Sequence, residues 1–163
     1  MQAQQSRSKV LAPGEGKITN VLGVRVDILL SGEETGGAQC VYAAQVLPGE
    51  GPPPHLHLRE DETFYVLEGE FDILCGEEWR RVGPGYYCYV APGTWHTFKN
   101  VGQTTGRLLS NSTPAGHERF FEEVDRLSRH APLSIEETLA VCQRHGMEVM
   151  PPPPAATHSS NSA

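Results

Sequence analysis

The sequence predicts an all-β domain, a sandwich or small barrel, followed by two α-helices. Three observations lead there. From about residue 16 to residue 113, short apolar runs are separated by Gly, Pro and acidic turns. No long helical period interrupts that stretch, which argues against alternating β–α units. Two segments with apolar residues at helical spacing then follow.

The elements can be justified in chain order. Residues 1–15 are polar and are expected to be flexible, or to serve as an edge strand in an oligomer. Strands are predicted at 24–30, 39–47, 55–57, 63–67, 70–75, 79–82, 86–90, 96–101 and 106–113. Gly76-Glu77-Glu78 reads as a hairpin turn, and residues 31–37 as a longer loop. Pro52-Pro53-Pro54 offers no backbone donors and fixes φ, so it delivers His55 in an extended conformation.

The helical segment covers residues 114–150. Thr113 as cap and Pro114 at the first position predict the first helix, with Phe120, Phe121, Val124 and Leu127 as its apolar stripe. Ser134-Ile135-Glu136-Glu137 is a capping box that opens the second, with Ile135, Leu139 and Cys142 as the inner face and Gly146 as the stop. His145, in the last turn, is expected to serve the helix dipole. Residues 151–163 form a Pro-rich, small-polar tail expected to be disordered.

Composition narrows the function classes. At 163 residues the chain fits one domain with a real core, and a net charge of −7 disfavours nucleic acid or an anionic membrane as partner. The four cysteines are widely spaced, with no Cys-x2-Cys pair, and read as buried thiols rather than a disulfide framework. No apolar N-terminal stretch reads as a signal peptide and no run is long enough to span a membrane, so a cytoplasmic protein is expected.

The chemistry-bearing signal lies at His55-Leu-His57. Histidines at i and i+2 share one face of a strand. A carboxylate a few residues on and His96 some forty residues later can close around the same ion. Three imidazoles and one carboxylate suit Fe, Mn, Ni, Cu or Zn as a divalent ion, and four protein ligands leave one or two positions open for chemistry. Spacing alone does not choose among Glu60, Asp61 and Glu62, and strand alternation counted from His57 favours Asp61. The other histidines (His117, His130, His145, His158) lie towards the C-terminus and read as unrelated to the site.

Gly49-x5-His55-x-His57-x4-Glu62-x6-Gly69 resembles the first cupin motif at every fixed position. Gly85, Gly93, His96 and Asn100 align with the second, the one departure being Ala91 where the family usually carries proline, with Pro92 directly after it. The resemblance implies a cupin-type jelly-roll β-barrel or sandwich over residues 16–113. It also selects Glu62 as the fourth ligand and places His55, His57, Glu62 and His96 inside the barrel. Phe64, Val66 and Phe98 would then face inward too, as substrate-lining or core residues.

Among cupins the chain resembles single-domain quercetin 2,3-dioxygenase-like proteins. That implies a metal-dependent dioxygenase, with Glu62 as ligand and base, acting on a small enolisable aromatic or flavonol-type substrate. It also implies one divalent transition metal per chain and a homodimer. The fold and ligand set are shared by isomerases and lyases and by non-catalytic small-molecule-binding modules, which are the alternatives.

Overall fold

A computed structural model describes residues 8–151. These run in the order β1 (Lys17–Val21), β2 (Val24–Leu30), α1 (Gly32–Thr35), β3 (Cys40–Val46), β4 (His55–His57), β5 (Asp61–Glu68), β6 (Phe71–Cys75), β7 (Glu78–Val82), β8 (Tyr87–Val90), β9 (His96–Asn100), β10 (Gly106–Thr113), α2 (His117–Ser128), α3 (Ile135–Arg144) and β11 (Met147–Val149). Two antiparallel sheets face each other, one ordered β1-β2-β3-β10-β5-β8 and the other β11-β4-β9-β6-β7. This is a mostly-β, cupin-like sandwich with two C-terminal helices, the class the sequence predicts. Among the described residues no helix is long and apolar enough to cross a membrane.

Alternation builds the core. Along β10, Gly106, Leu108, Ser110 and Ser112 are buried and the residues between them are not. Glu62, Phe64 and Val66 of β5 are buried in the same way, and Tyr42, Ala44 and Val46 of β3 join them. Phe71 and Ile73 of β6 face them from the other sheet. Each large apolar side chain enclosed this way contributes roughly 1.5–3 kcal/mol. Turn chemistry holds the register. Gly69, at φ 91, sits so close to Gly106 that a Cβ would lie 2.7 Å from its Cα, so no other residue fits there.

The structure corrects the sequence reading at several places. Residues 31–37 are not all loop: Ser31 and Glu34 form a reciprocal capping box over the single turn of α1. β1 and β11 are additional strands: β1 is largely polar and β11 is only three residues long, so neither stands out by alternation. Thr113 does not cap α2. It pairs with Asp61 at the end of β10, the Thr113–Pro114 peptide is cis, and the helix begins at His117 behind Gly116.

Phe120, Phe121 and Val124 are buried as expected, with Leu127 packed beside them. The α3 capping box also holds, but its inner face differs. Ile135 is 82% exposed and Leu139 is exposed, whereas Val141 and Cys142 are buried with Thr138 and His145 alongside. Ile135, the first helical residue after the Ser134 cap, points outward, so the apolar stripe starts one turn later. His145 ties α3 to α2, with Nε2 2.6 Å from Glu123 Oε2, and Arg144 reaches the other oxygen of Glu123 at 2.7 Å.

Candidate metal centre

Three strands and one sheet crossing assemble the site. His55 and His57 project from β4 to the interior, and His96 opens β9, where it pairs directly with His55. The triproline approach works through its carbonyls. Pro53 O accepts from His55 Nδ1 at 2.9 Å, Pro52 O from Thr97 Oγ1 at 2.5 Å and Pro54 O from Met150 N at 2.8 Å. The approach to His96 is a turn in which Thr94 N donates to Ala91 O at 3.2 Å, with Pro92 and Gly93 at its centre. Gly93, at φ 75, supplies the left-handed position, and its N–H donates to His57 O at 2.7 Å. Ala91 in place of the family proline therefore leaves the loop intact. Asn100, fully buried, clamps the neighbouring loops through Val46 O, Thr104 O and Gly102 N.

The three consecutive carboxylates separate cleanly. β4 and β5 belong to different sheets, and the chain bends through Leu58 and Arg59 between them, so the parity of His57 does not carry over. Glu62 turns inward across the sandwich from the histidines. Asp61, which simple alternation favours, turns out and accepts from the Tyr89 hydroxyl at 2.8 Å. Glu60 is buried behind His57.

His55, His57, Glu62 and His96 are all buried, and one ligand atom from each lies within 4.8 Å of the others. Glu62 Oε2 lies 2.9 Å from His96 Nε2 and 3.3 Å from His57 Nε2. Carbonyls only accept, so His55 and His96 carry Nδ1 protons towards Pro53 and Thr94 and aim Nε2 at the centre. Both nitrogens of His57 are buried without a hydrogen-bond partner. A buried, unpartnered imidazole nitrogen aimed at a carboxylate and two further imidazoles is the arrangement a divalent ion would satisfy.

The electrostatics agree. Burial alone would raise the Glu62 carboxyl, but the charge of His57 close by, then the hydrogen bond of His96, hold it well below the ordinary carboxylate range. Burial pulls His57 down, yet Glu62 and, less strongly, Glu60 raise it above the usual imidazole value. His55 is depressed to about 4 by burial and then by His96.

Two surrounding residues were not legible as site residues. Tyr42 of β3 donates from its hydroxyl to Glu62 Oε1 and stands 3.2 Å from Ser112 Oγ. His117, read from sequence as unrelated, packs edge-on against the His57 ring with centroids 4.4 Å apart. Burial, then the neighbouring His57, holds it well below its ordinary pKa. Its signal was present in the sequence: residues 117, 120, 121 and 124 are one helical stripe.

Phe64 and Val66 are almost wholly enclosed, while Phe98 is half-buried. Phe64 packs against Phe98 at 5.5 Å and the His96 ring at 6.0 Å, so these residues form the apolar layer beside the centre. A cleft of about 250 Å³ opens between β7 and β8, with Ile73, Cys75 and Cys88 among its lining and Tyr86, Tyr87 and Tyr89 at its rim. Cys75 pairs with His96 and Cys88 with Phe64, so the cleft comes within one row of the centre.

Residues 43–111 match the family model of the cupin domain, Cupin_2. That stretch is similar to the cupin domain, and the chain has a cupin-like fold. An uncharacterized protein of Methanocaldococcus jannaschii is 30% identical over 79 residues, which is 48% of this chain and 63% of that relative's length. Among solved structures, KdgF from Halomonas sp. superposes with a TM-score of 0.62 at 19% identity, over 69% of this chain and 99% of its own. The polyketide cyclase RemF from Streptomyces resistomycificus superposes with a TM-score of 0.57 at 21% identity, over 66% of this chain and 80% of its own.

Proposed function

We propose that this chain is a metal-dependent enzyme, a dioxygenase that cleaves a small enolisable aromatic or flavonol-type substrate, with one divalent transition metal held by His55, His57, Glu62 and His96. The observation that carries the reading is Glu62. It is a member of the ligand set, is kept ionised by its neighbours, and has both oxygens engaged by named partners. Such an ion would supply Lewis acidity and, if redox-active, access to dioxygen chemistry. Glu62 Oε2, on the side of the histidines, is the oxygen placed to take a substrate hydroxyl proton, while Tyr42 holds Oε1 in place. A carboxylate this acidic is a weak base, so it works only on a hydroxyl acidified in the same site. Phe64, Val66 and Phe98 exclude water on one side, and the β7–β8 cleft is the approach for an organic substrate.

The test is oxygen uptake with a panel of enolisable aromatic and flavonol-type compounds, on protein loaded in turn with Fe, Mn and Ni. Uptake should match substrate loss, and Glu62→Gln should lower turnover much more than substrate binding. A reaction that runs equally fast without oxygen refutes the dioxygenase and leaves a metal-dependent isomerase or lyase. A substrate that binds and is never turned over leaves a binding module.

A further inference from the structure

Two unpartnered atoms face each other behind the ligand histidines. His57 Nδ1 and Glu60 Oε2 lie 3.9 Å apart, with side chains 2% and 8% exposed. Neither has a hydrogen-bond partner. His55 and His96 are different, since the Nδ1 of each already donates to a backbone carbonyl at 2.9 Å.

The asymmetry has a chemical consequence. A neutral imidazole that offers Nε2 to an ion carries its proton on Nδ1. For His57 that N–H would be buried with no acceptor, unless a side chain supplies one. Glu60 is the carboxylate on that side of the ring. Asp61 is committed to Tyr89 and Glu62 to the centre itself. His117 packs edge-on against the His57 ring and limits how the ring can tilt.

We propose that Glu60 is the positioning residue of His57: its carboxylate accepts the Nδ1 proton, fixes the tautomer that presents Nε2, and thereby raises the affinity of the centre for a divalent ion. Glu60 is not itself among the residues that converge on the centre. The inference rests on the metal-centre reading. It predicts that the 3.9 Å gap closes to hydrogen-bond length when the centre is filled. It also accounts for a buried acid that otherwise has no partner on one oxygen.

The experiment uses full-length protein stripped of metal and titrated with Co(II), followed by visible absorption. Parallel nitrogen-15 NMR of the histidine rings reads the His57 tautomer. Wild type should bind one Co(II) per chain with the His57 proton on Nδ1. Glu60→Leu should weaken Co(II) binding by roughly 10–100-fold and lose the single-tautomer signature. Glu60→Gln keeps an acceptor without the charge, so it should lose less affinity while shifting the His57 ring-proton resonance. Glu60→Leu with wild-type Co(II) affinity, or with an unaltered His57 tautomer, overturns the proposal. If Glu60→Leu does not fold, Glu60→Gln decides, and unchanged affinity with an unmoved resonance overturns it. Wild type that binds no divalent ion removes the metal centre and this role together, an outcome distinct from a defect confined to the variants.

Discussion

The Tyr42 hydroxyl donates to Glu62 Oε1 across one intervening strand, with Ser112 of β10 standing between the two on the same inner face. The carboxylate is thereby tethered on the side away from the histidines. Removing the hydroxyl in Tyr42→Phe should leave Glu62 Oε1 buried and underbonded, at a cost of about 1–3 kcal/mol in urea unfolding of metal-free protein. An unchanged unfolding midpoint would show that the contact contributes nothing net.

About one divalent ion per chain is expected after purification without a metal-affinity column, read by elemental analysis. His57→Ala should lose most of it. His130→Ala, at an exposed position remote from the centre in sequence and element, is the control that should lose none. His117→Ala is not a fair control, because His117 packs directly on His57. Empty protein that takes up no Fe, Mn, Ni or Zn on addition would contradict the assignment.

Filling the centre should stabilise the fold, since the four ligands converge only in the native state. At about a thousandfold excess of ion over its dissociation constant the gain is roughly 4 kcal/mol. Melting should therefore fall on adding chelator to loaded protein. An identical melting temperature before and after stripping would refute this.

Acid should destabilise metal-free protein from below the ordinary histidine range downward. His55 is depressed to about 4, and His117 well below its usual value, both chiefly by burial. Between about pH 6.5 and 4 the unfolded chain binds a proton at position 55 and the folded chain does not, and His117 acts in the same direction, so stability is present above 6.5 and lost as pH falls. Each contributes a slope of up to about 1.4 kcal/mol per pH unit. His57 is raised and works in the opposite direction, because its stabilisation is present below 6.5 and fades as pH rises through its folded value. His117→Phe keeps an aromatic ring and removes one titrating group, so its stability should fall less steeply over that window. Parallel curves for variant and wild type would count against the buried neutral histidine.

We also propose that the chain pairs as a homodimer. The six-stranded sheet ends in β1 and β8, which have no further neighbour among the described residues, and Tyr87 and Tyr89 of β8 are exposed. Light scattering should give twice the chain mass. A concentration-independent monomer would refute pairing without touching the metal centre.

The sequence by itself determined the strand positions that depend on local chemistry. β2, β4 and β10 fall where alternation and flanking turns place them, and the capping box at Ser134 opens α3 as written. It also placed His55 and His57 together, because i and i+2 share a face within any one strand, while the motif resemblance singled out His96 and Glu62. What only the tertiary structure decided is everything that crosses between elements. Periodicity is lost where the chain bends from one sheet to the other, so Glu60, Asp61 and Glu62 take three different directions that strand alternation counted from His57 could not assign. Tyr42 and His117 reach the centre from strands and helices remote in sequence. The short β11 exists because β4 offers it a free edge, with Met147 pairing with His57 and Val149 with His55. Local patterns fix what each segment is. Only the facing of two sheets fixes which side chains meet.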